Sequence, residues 1–388
     1  MWLSHMLRPI LEIGLSLVAV SGLLLYRLDT LVPQFSPAEI ATRISSSSLR
    51  TILHHPLFAP YKLLQYALIR LDLIDPFAMR FVSAFFGAIA IYIMYYILKR
   101  WHSHRVALMG TALFATSSWF LNYARLATPS ITYTLLLAAL AYGTWIRHTR
   151  RPGLAVLAGA GLIAVLIYTP GLIWFALLGI IWQMQSVVRL CSKAPKLTVV
   201  AFLGLIILLV PLGYAIYLDT TVLRSLAGLP MNTWPTLNAI GHNVTSLGNL
   251  LFLSGNQDAM VGLVGLPVFD IFAFAMLTLG AYDYIFMRKL DRIKMLGGTL
   301  LLGVILISMG GPVSSILLAP FIYVIIAAGV GWLLEQWFTV FPRNPLVRSI
   351  GLGLMLVAVG LTCWYQLNRY FVAWPHTKAT KQVFIIKS

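Results

Sequence analysis

The sequence predicts an all-α integral membrane protein with about eleven transmembrane helices, from its composition and from the spacing of its apolar runs. Sixty per cent of the 388 residues are hydrophobic and only 10% are charged, whereas roughly a quarter of the residues in a soluble domain are charged. One soluble core cannot account for this composition, because such cores stop growing at about 250–300 residues. We therefore expect a single polytopic membrane domain over residues 1–388.

A helix needs about 20 apolar residues to cross a hydrocarbon core of roughly 30 Å. The runs that fit a crossing lie at 9–27, 79–98, 106–123, 131–146, 153–169, 171–188, 197–218, 263–287, 295–310, 313–334 and 349–368. The first run ends in large residues, Leu25-Tyr26-Arg27-Leu28, which do not form a cleavage site. It is therefore interpreted as a retained span rather than a signal peptide.

Basic residues occupy every second connection between the apolar runs. They are Arg8; Lys99, Arg100 and Arg105; Arg147, Arg150 and Arg151; Arg189, Lys193 and Lys196; Arg288, Lys289, Arg292 and Lys294; Arg343 and Arg348. By the positive-inside rule these connections are cytoplasmic, which places the N-terminus inside and segments 28–78, 219–262 and 369–388 outside. The net charge of +17 then reflects orientation in the cell membrane, and nucleic acid is not expected as a partner.

The first external segment contains two helix-start patterns. Ser36-Pro37-Ala38-Glu39 has the order of a capping box, with Ser36 as N-cap, proline at the first position and a glutamate at the third. A second start follows Pro60, where an apolar stripe is formed by Leu64, Ala67, Leu68 and Leu71. The pattern predicts two short amphipathic helices on the outer membrane surface, with His54-His55-Pro56 between them.

The order of these segments resembles the layout of the GT-C glycosyltransferases, which include aminoarabinose transferases and protein O-mannosyltransferases. In that family the first external loop has an Asp-Glu pair that opens a surface helix, then a proline-containing stretch and a second helix. The similar segments here are Ala38-Glu39, 79–95 with Lys99-Arg100, 112–117 with 122–130, and 265–270. The resemblance covers most of the chain and is best over residues 30–150.

The resemblance implies a GT-C-like fold and transfer of a hexosyl or pentosyl group from a polyprenyl-phosphate donor. The acceptor would be a hydroxyl of a lipid, glycan or protein in the cell envelope, at the extracytoplasmic face. An external carboxylate would remove the acceptor proton as the hydroxyl attacks the anomeric carbon. Cationic side chains or a divalent metal ion would stabilise the departing lipid phosphate.

The chain departs from the family pattern at two positions. Ala38 replaces the leading Asp of the loop pair, and Ser130 stands where the turn after the third span often has an Asp. Two interpretations follow: Glu39 has taken over as base or metal ligand, or activity is altered or lost. In addition, Glu39 has a structural explanation, because it can complete the capping box and pair with Arg43 four residues on.

Arg43 either pairs with Glu39 or binds the donor phosphate. Five further residues are candidate ligands of that phosphate. They are His54, His55, Lys62, Arg80 and Arg125. The two histidines could also hold a metal, His55 together with Glu39, or be ordinary polar loop residues. Snorkelling to the interface is the alternative for Lys62 and Arg80, whereas Arg125 interrupts an otherwise uncharged hairpin and should be paired or functional.

The second external loop contributes His242 and Asp258 as further substrate-binding candidates, because this loop helps to cover the active site in the family. Asp270 follows inside the eighth predicted span, where a carboxylate needs a partner. The competing hypothesis is a non-catalytic relative, or a transporter or flippase of lipid-linked sugars. Transporters usually have paired halves and helices broken at mid-membrane, and no internal repeat is found here.

Overall fold

The computed structural model describes residues 2–231, 234–253, 255, 258–260, 262–286 and 290–384, with side chains from residue 14 onward except at 290–291. In this part of the chain the regular structure is helical, without a strand. The predicted cytoplasmic residues Arg288 and Lys289 lie outside the described residues.

The helices of the first half are α1 (Trp2–Leu25), α2 (Pro37–Ser45), α3 (Leu49–His54), α4 (Ala59–Arg70), α5 (Pro76–Trp101), α6 (His104–Thr116), α7 (Ser118–Arg125), a 3₁₀ helix (Pro129–Leu135), α8 (Leu136–Ile146), α9 (Pro152–Ile167), α10 (Leu172–Trp182) and α11 (Met184–Lys193). Those of the second half are α12 (Pro195–Leu218), α13 (Thr221–Leu226), α14 (Leu237–Phe252), α15 (Ile271–Phe286), α16 (Leu290–Ser308), a 3₁₀ helix (Ser315–Leu318), α17 (Ala319–Val340), α18 (Pro345–Asn368), a π-helix (Arg369–Ala373), α19 (Trp374–His376) and α20 (Lys378–Phe384).

Four helical stretches are long and apolar enough to cross a membrane, or five if one bent pair counts as a span. The four are Pro76–Trp101, Pro195–Leu218, Ser315–Val340 and Pro345–His376, and the pair is α10 with α11, which meet at 76°. The all-α membrane class is therefore confirmed, whereas the count of eleven exceeds what length and composition support in the described residues. Gly14–Leu25, Pro152–Ile167 and Ile271–Phe286 are apolar but shorter.

Local interruptions explain much of this difference. The predicted span 106–123 is divided at Ser117, whose hydroxyl accepts a hydrogen bond from the Phe120 amide at 3.3 Å and starts a new helix. The predicted span 131–146 begins as a 3₁₀ helix, which leaves 11 residues in α8, or roughly 16 Å of α-helix. Hydropathy alone counts apolar residues and does not detect such breaks.

The buried core is built around α5, α6 and α17. Most of the apolar window of α17 is buried, 83%, whereas only 17% is buried in α12 and in the α18 stretch. The exposed side chains of α12 are large and apolar, as at Phe202 and Ile207. Because a bilayer solvates such surfaces, we interpret α17 as the central helix and α12 and α18 as lipid-facing helices.

Helices α15 and α17 approach each other through glycines. A Cβ placed on Gly280 would lie 1.9 Å from the carbonyl oxygen of Ile325, and one placed on Gly329 would lie 1.9 Å from that of Met276. Close backbone contact through small residues is a common means of helix association in membranes. The two glycines therefore allow the backbones of α15 and α17 to come into direct contact.

Three helices, rather than the predicted two, fold between α1 and α5. The capping box at Ser36 is present, and the additional helix α3 begins because the Ser48 hydroxyl accepts from the Thr51 amide at 3.1 Å. The predicted apolar stripe is exposed at Leu64 of α4 and at Leu71, which follows it, and is partly buried at Leu68, whereas Lys62 and Gln65 are buried against the protein. This distribution suits a helix whose outer side contacts lipid.

The substitution Gly329→Ala is expected to destabilise the folded protein by about 1–3 kcal/mol, because the new methyl group collides with backbone rather than with a flexible side chain. Equilibrium unfolding in detergent measures this cost. Gly297→Ala in α16 is the matched control, since no atom lies within 4 Å of its added Cβ. Equal stability of the two variants would contradict the proposed close contact of α15 with α17.

Candidate functional site

The first external loop is attached to the helix core by a buried ion pair between Glu39 of α2 and Arg80 of α5. Both side chains are fully buried, and Arg80 Nε lies 2.8 Å from Glu39 Oε1. The same oxygen accepts a hydrogen bond from the Ala127 amide at 2.9 Å. Oε2 accepts from the Ser36 amide at 2.8 Å and from Arg80 Nη2 at 3.2 Å. Four donors thus occupy the roughly four lone-pair sites of a carboxylate.

Arg80 uses its remaining donors on backbone carbonyl groups of the segment that follows α1. Nη1 donates to Leu28 at 3.1 Å and to Val32 at 2.7 Å, and Nη2 donates to Gln34 at 2.8 Å. With the two bonds to Glu39, all five N–H groups of the guanidinium have acceptors. Arg80 therefore has no donor left for a phosphate in this conformation.

This geometry corrects the expectation of a Glu39 carboxylate open to the outer membrane surface. An acceptor hydroxyl could reach Glu39 only after the ion pair had opened. The expected partner is also different, because Arg80 takes the position predicted for Arg43. The Arg43 guanidinium lies instead 5.2 Å from the centre of the Phe35 ring.

Arg125 is a second buried arginine that holds backbone carbonyl groups. It is 2% exposed, and it donates to Leu23 at 2.7 Å and to Tyr26. The rings of Tyr370 and Phe371 lie 5.3 and 4.6 Å from its guanidinium carbon. These acceptors lie at the C-terminal end of α1, where free carbonyls favour a cation. The expected pairing is therefore with backbone and aromatic rings, and in this conformation no phosphate reaches the side chain.

Lys62 is the buried cation of the loop that has no carboxylate beside it. Its Nζ donates to the His55 carbonyl oxygen at 2.8 Å, and among the described residues no Asp or Glu forms an ion pair with it. Burial lowers the pKa of Lys62 to about 8, because desolvation disfavours the charged amine. An arriving anion would raise this pKa again, because an opposite charge favours the protonated amine, so Lys62 retains the electrostatic character of a phosphate ligand.

The two histidines of the loop remain on the surface. His54 and His55 are both exposed, and His55 lies within electrostatic range of Asp219 at the start of the second external loop. The structure thus brings His55, Lys62 and Asp219 to one region. His54 has no further contact that assigns it a role.

The second loop places its two candidates differently. His242 is exposed on α14, where its Nδ1 lies 3.5 Å from the Ser246 hydroxyl. Asp258 is exposed and lies within electrostatic range of Tyr123 of α7. The adjacent residue, Ala259, is held in place, because Trp374 Nε1 donates to its carbonyl oxygen at 2.7 Å.

The expected metal ligands do not fit a metal ion. The oxygens of Glu39 already accept four N–H groups, and His55 lies on the exposed surface. In the described part of the chain, no three His, Cys, Asp or Glu side chains converge as a cation site.

A polar network surrounds Asp270. The sequence predicted that this carboxylate needs a partner but did not identify the partner. Asp270 accepts from the Ala273 amide at 2.8 Å, which caps α15, and from Gln366 Nε2 at 2.9 Å. Gln366 in turn accepts from the Ser118 hydroxyl at 2.8 Å. Arg369 is buried and donates to the Leu266 carbonyl oxygen at 3.0 Å. The sequence signal for this network is the presence of polar residues inside apolar runs.

These contacts define a membrane protein in which buried arginines fix the segments between the helices, and in which Lys62 is a buried amine of the predicted first external loop. Residues 54–214 match the family model described as dolichyl-phosphate-mannose-protein mannosyltransferase. That family belongs to the GT-C glycosyltransferase superfamily, so the resemblance inferred from the sequence is confirmed. No curated protein matches the chain.

The substitution Glu39→Gln is expected to reduce stability by about 3–5 kcal/mol, because it leaves the Arg80 charge buried without its counter-ion. A double-mutant cycle with Arg80→Met, followed by equilibrium unfolding, isolates the pair. The double variant should lose less stability than the sum of the two single variants. Unchanged stability of Glu39→Gln, together with loss of a measured activity, would contradict the structural role and restore the general-base hypothesis.

The substitution Lys62→Met tests the burial of the Lys62 amine through the pH dependence of stability. The folded pKa of about 8 lies below the ordinary lysine value of 10.5, so the unfolded chain binds more protons between these values and stability rises with pH there. We expect this rise in the wild-type protein and its absence in Lys62→Met. Unfolding midpoints between pH 7 and 10 measure it, and identical profiles for the two proteins would contradict the burial of the amine.

Proposed function

We propose that the chain transfers a sugar from a polyprenyl-phosphate donor to a hydroxyl of a lipid, glycan or protein at the extracytoplasmic face. The observation that carries this proposal is the match of residues 54–214 to a family of mannosyltransferases. The surface helices α2 to α4 support it, because they would hold a reaction site at the level of the lipid phosphate. The proposal includes the cell membrane as location, with the N-terminus cytoplasmic and the C-terminus outside.

The proposal also includes the eleven crossings expected from the sequence. The shorter and interrupted helices would cross as parts of a bundle, since irregular backbone is tolerated at membrane depth where protein covers it. The 3₁₀ helix before α8 meets this condition, because Ile131 and Tyr133 within it are fully buried.

In the proposed reaction Glu39 and Arg80 are positioning residues rather than reacting groups. Their pair fixes α2 against α5 and the Ala127 amide, and so sets the shape of the first loop. Lys62 would stabilise the departing polyprenyl phosphate, with His54, His55 and Arg43 at the rim of the same loop. A desolvated amine gains more from an anion than an exposed one does, which supports Lys62 in this role.

The acceptor proton then needs a base other than Glu39. Of the two carboxylates that the sequence selected, Asp258 is the exposed one. We assign Asp258 the role of general base. His242 belongs to the same loop of the sequence, residues 219–262. The hydroxyl would lose its proton to Asp258 as its oxygen bonds to the anomeric carbon, and the phosphate would leave with the bonding electrons.

A second candidate function is favoured by Ala38, which stands where the family has its leading Asp. In this alternative the chain binds a lipid-linked sugar without cleaving it, either to move it across the membrane or to assist another transferase. The retained Glu39 and Arg80 pair would then preserve the fold of the loop after catalysis was lost.

Purified protein in liposomes with a labelled polyprenyl-phosphate sugar separates these functions. An active transferase releases polyprenyl phosphate and labels the acceptor, and Asp258→Asn should lower this rate by about 10²–10⁴-fold. Asp72→Asn, at an exposed aspartate of the first loop, is the matched control and should leave the rate unchanged. Full activity of Asp258→Asn would remove that residue from the mechanism. Movement of the label without bond cleavage would replace the transferase by the second candidate.

A further inference from the structure

A large apolar cavity lies among the helices away from the first external loop. Its volume is about 610 Å³, and residues of α8, α9, α10, α12 and α16 line it, among them Leu140, Ile163 and Leu205. Ligand pockets in proteins have volumes of roughly 300–1,000 Å³. A cavity of this size loses the dispersion contacts that a filled core would have, so an apolar occupant would stabilise it.

One end of this cavity is basic. Arg100 and Arg292 line it, and Trp101 beside them ends α5. Arg80 lies near the other end of α5, 21 residues before Trp101 in the sequence, or roughly 30 Å along a helix. The basic end is therefore remote from the buried pair that holds the first loop.

A second cavity adjoins the basic end. It has a volume of about 370 Å³ and is lined by the cations Arg147, Arg150, Arg189 and Lys193. Arg147 and Leu190 line both cavities, so the two share a wall. Among the described residues that line the two cavities there is no carboxylate, so the described lining is cationic at this end.

The bend between α10 and α11 shapes this end. The helices meet at 76°, and Gln183 at the bend accepts a hydrogen bond from Arg147 Nε at 3.2 Å. Leu190 of α11 packs with Ile146 and Ala155, whereas Arg189 is exposed. This is the arrangement of a helix lying along a membrane surface with its cations at headgroup level.

We propose that the two cavities bind one anionic phospholipid, with its hydrocarbon chain in the larger cavity and its phosphate among the four cations of the smaller one. The apolar walls select a chain, and the four cations, which meet no carboxylate among the described lining residues, select a phosphate rather than a neutral headgroup. The occupant is a bulk lipid, because the lipid-facing helix α12 forms part of the wall through Phe202 and Leu205. This site is separate from the proposed reaction site and does not depend on transfer activity.

Native mass spectrometry of the purified full chain tests the proposal, after delipidation and addition of phosphatidylglycerol, phosphatidylcholine or polyprenyl phosphate in turn. The wild-type protein should retain one phosphatidylglycerol. The triple variant Arg150→Gln/Arg189→Gln/Lys193→Gln alters exposed side chains only. It should bind phosphatidylglycerol about a hundredfold more weakly.

Gly179→Leu fills the cavity from within, because Gly179 lines it and has no atom within 4 Å of an added Cβ. Gly161→Leu is its matched control, being equally open in space but outside the cavity lining. Retention should fall in the first variant and persist in the second. Equal retention of phosphatidylcholine, preferential retention of polyprenyl phosphate, or unchanged binding by both Gly179→Leu and the triple variant would overturn the proposal. The triple variant decides the outcome if Gly179→Leu does not fold.

Discussion

The arrangement of the segment between α1 and α5, residues 28–78, depends on the buried contact between Glu39 and Arg80. Removing two charges from water costs several kcal/mol for each ion, and the attraction between them offsets this only when the remaining donors and acceptors are also satisfied. That condition is met here, because the carboxylate has four N–H donors and the guanidinium has acceptors for all five of its N–H groups. Breaking one partner would leave the other charge buried, so the loop has one stable position.

Buried arginines repeat this role at other places on the same loops. Arg125 holds carbonyl groups at the end of α1, and Arg369 holds the carbonyl group of Leu266 before α15. In each case the guanidinium donates to backbone carbonyl groups that receive no hydrogen bond from a helical N–H group in the described part of the chain. Arg125 and Arg369 each keep a buried Nε–H without an acceptor among the described residues, but each holds two backbone carbonyl groups with its other donors. The Lys62 amine has a single carbonyl contact and, within the same described residues, no carboxylate partner. We assign the phosphate to Lys62 because it also lies next to the exposed His55 of the same loop.

The sequence predicted the membrane class and the capping box at Ser36, because each depends on local pattern or composition. It did not predict that Glu39 would pair with Arg80, which lies 41 residues away in the chain; the local rule favoured Arg43 at four residues. The number of spans was overestimated relative to the long apolar helices, because breaks such as the one at Ser117 depend on a hydroxyl contact. The cavity beside α10 was not predicted either, since it arises from the packing of helices from several parts of the chain.

The central claim is that Glu39 is a buried positioning residue, and carboxyl footprinting tests it most directly. A water-soluble carbodiimide with an amine nucleophile modifies accessible carboxylates, and mass spectrometry locates the products. The account predicts that Asp72 and Asp258, which are exposed, are modified while Glu39 stays unmodified in the folded protein. Modification of Glu39 to the same extent as Asp72 would contradict the buried ion pair.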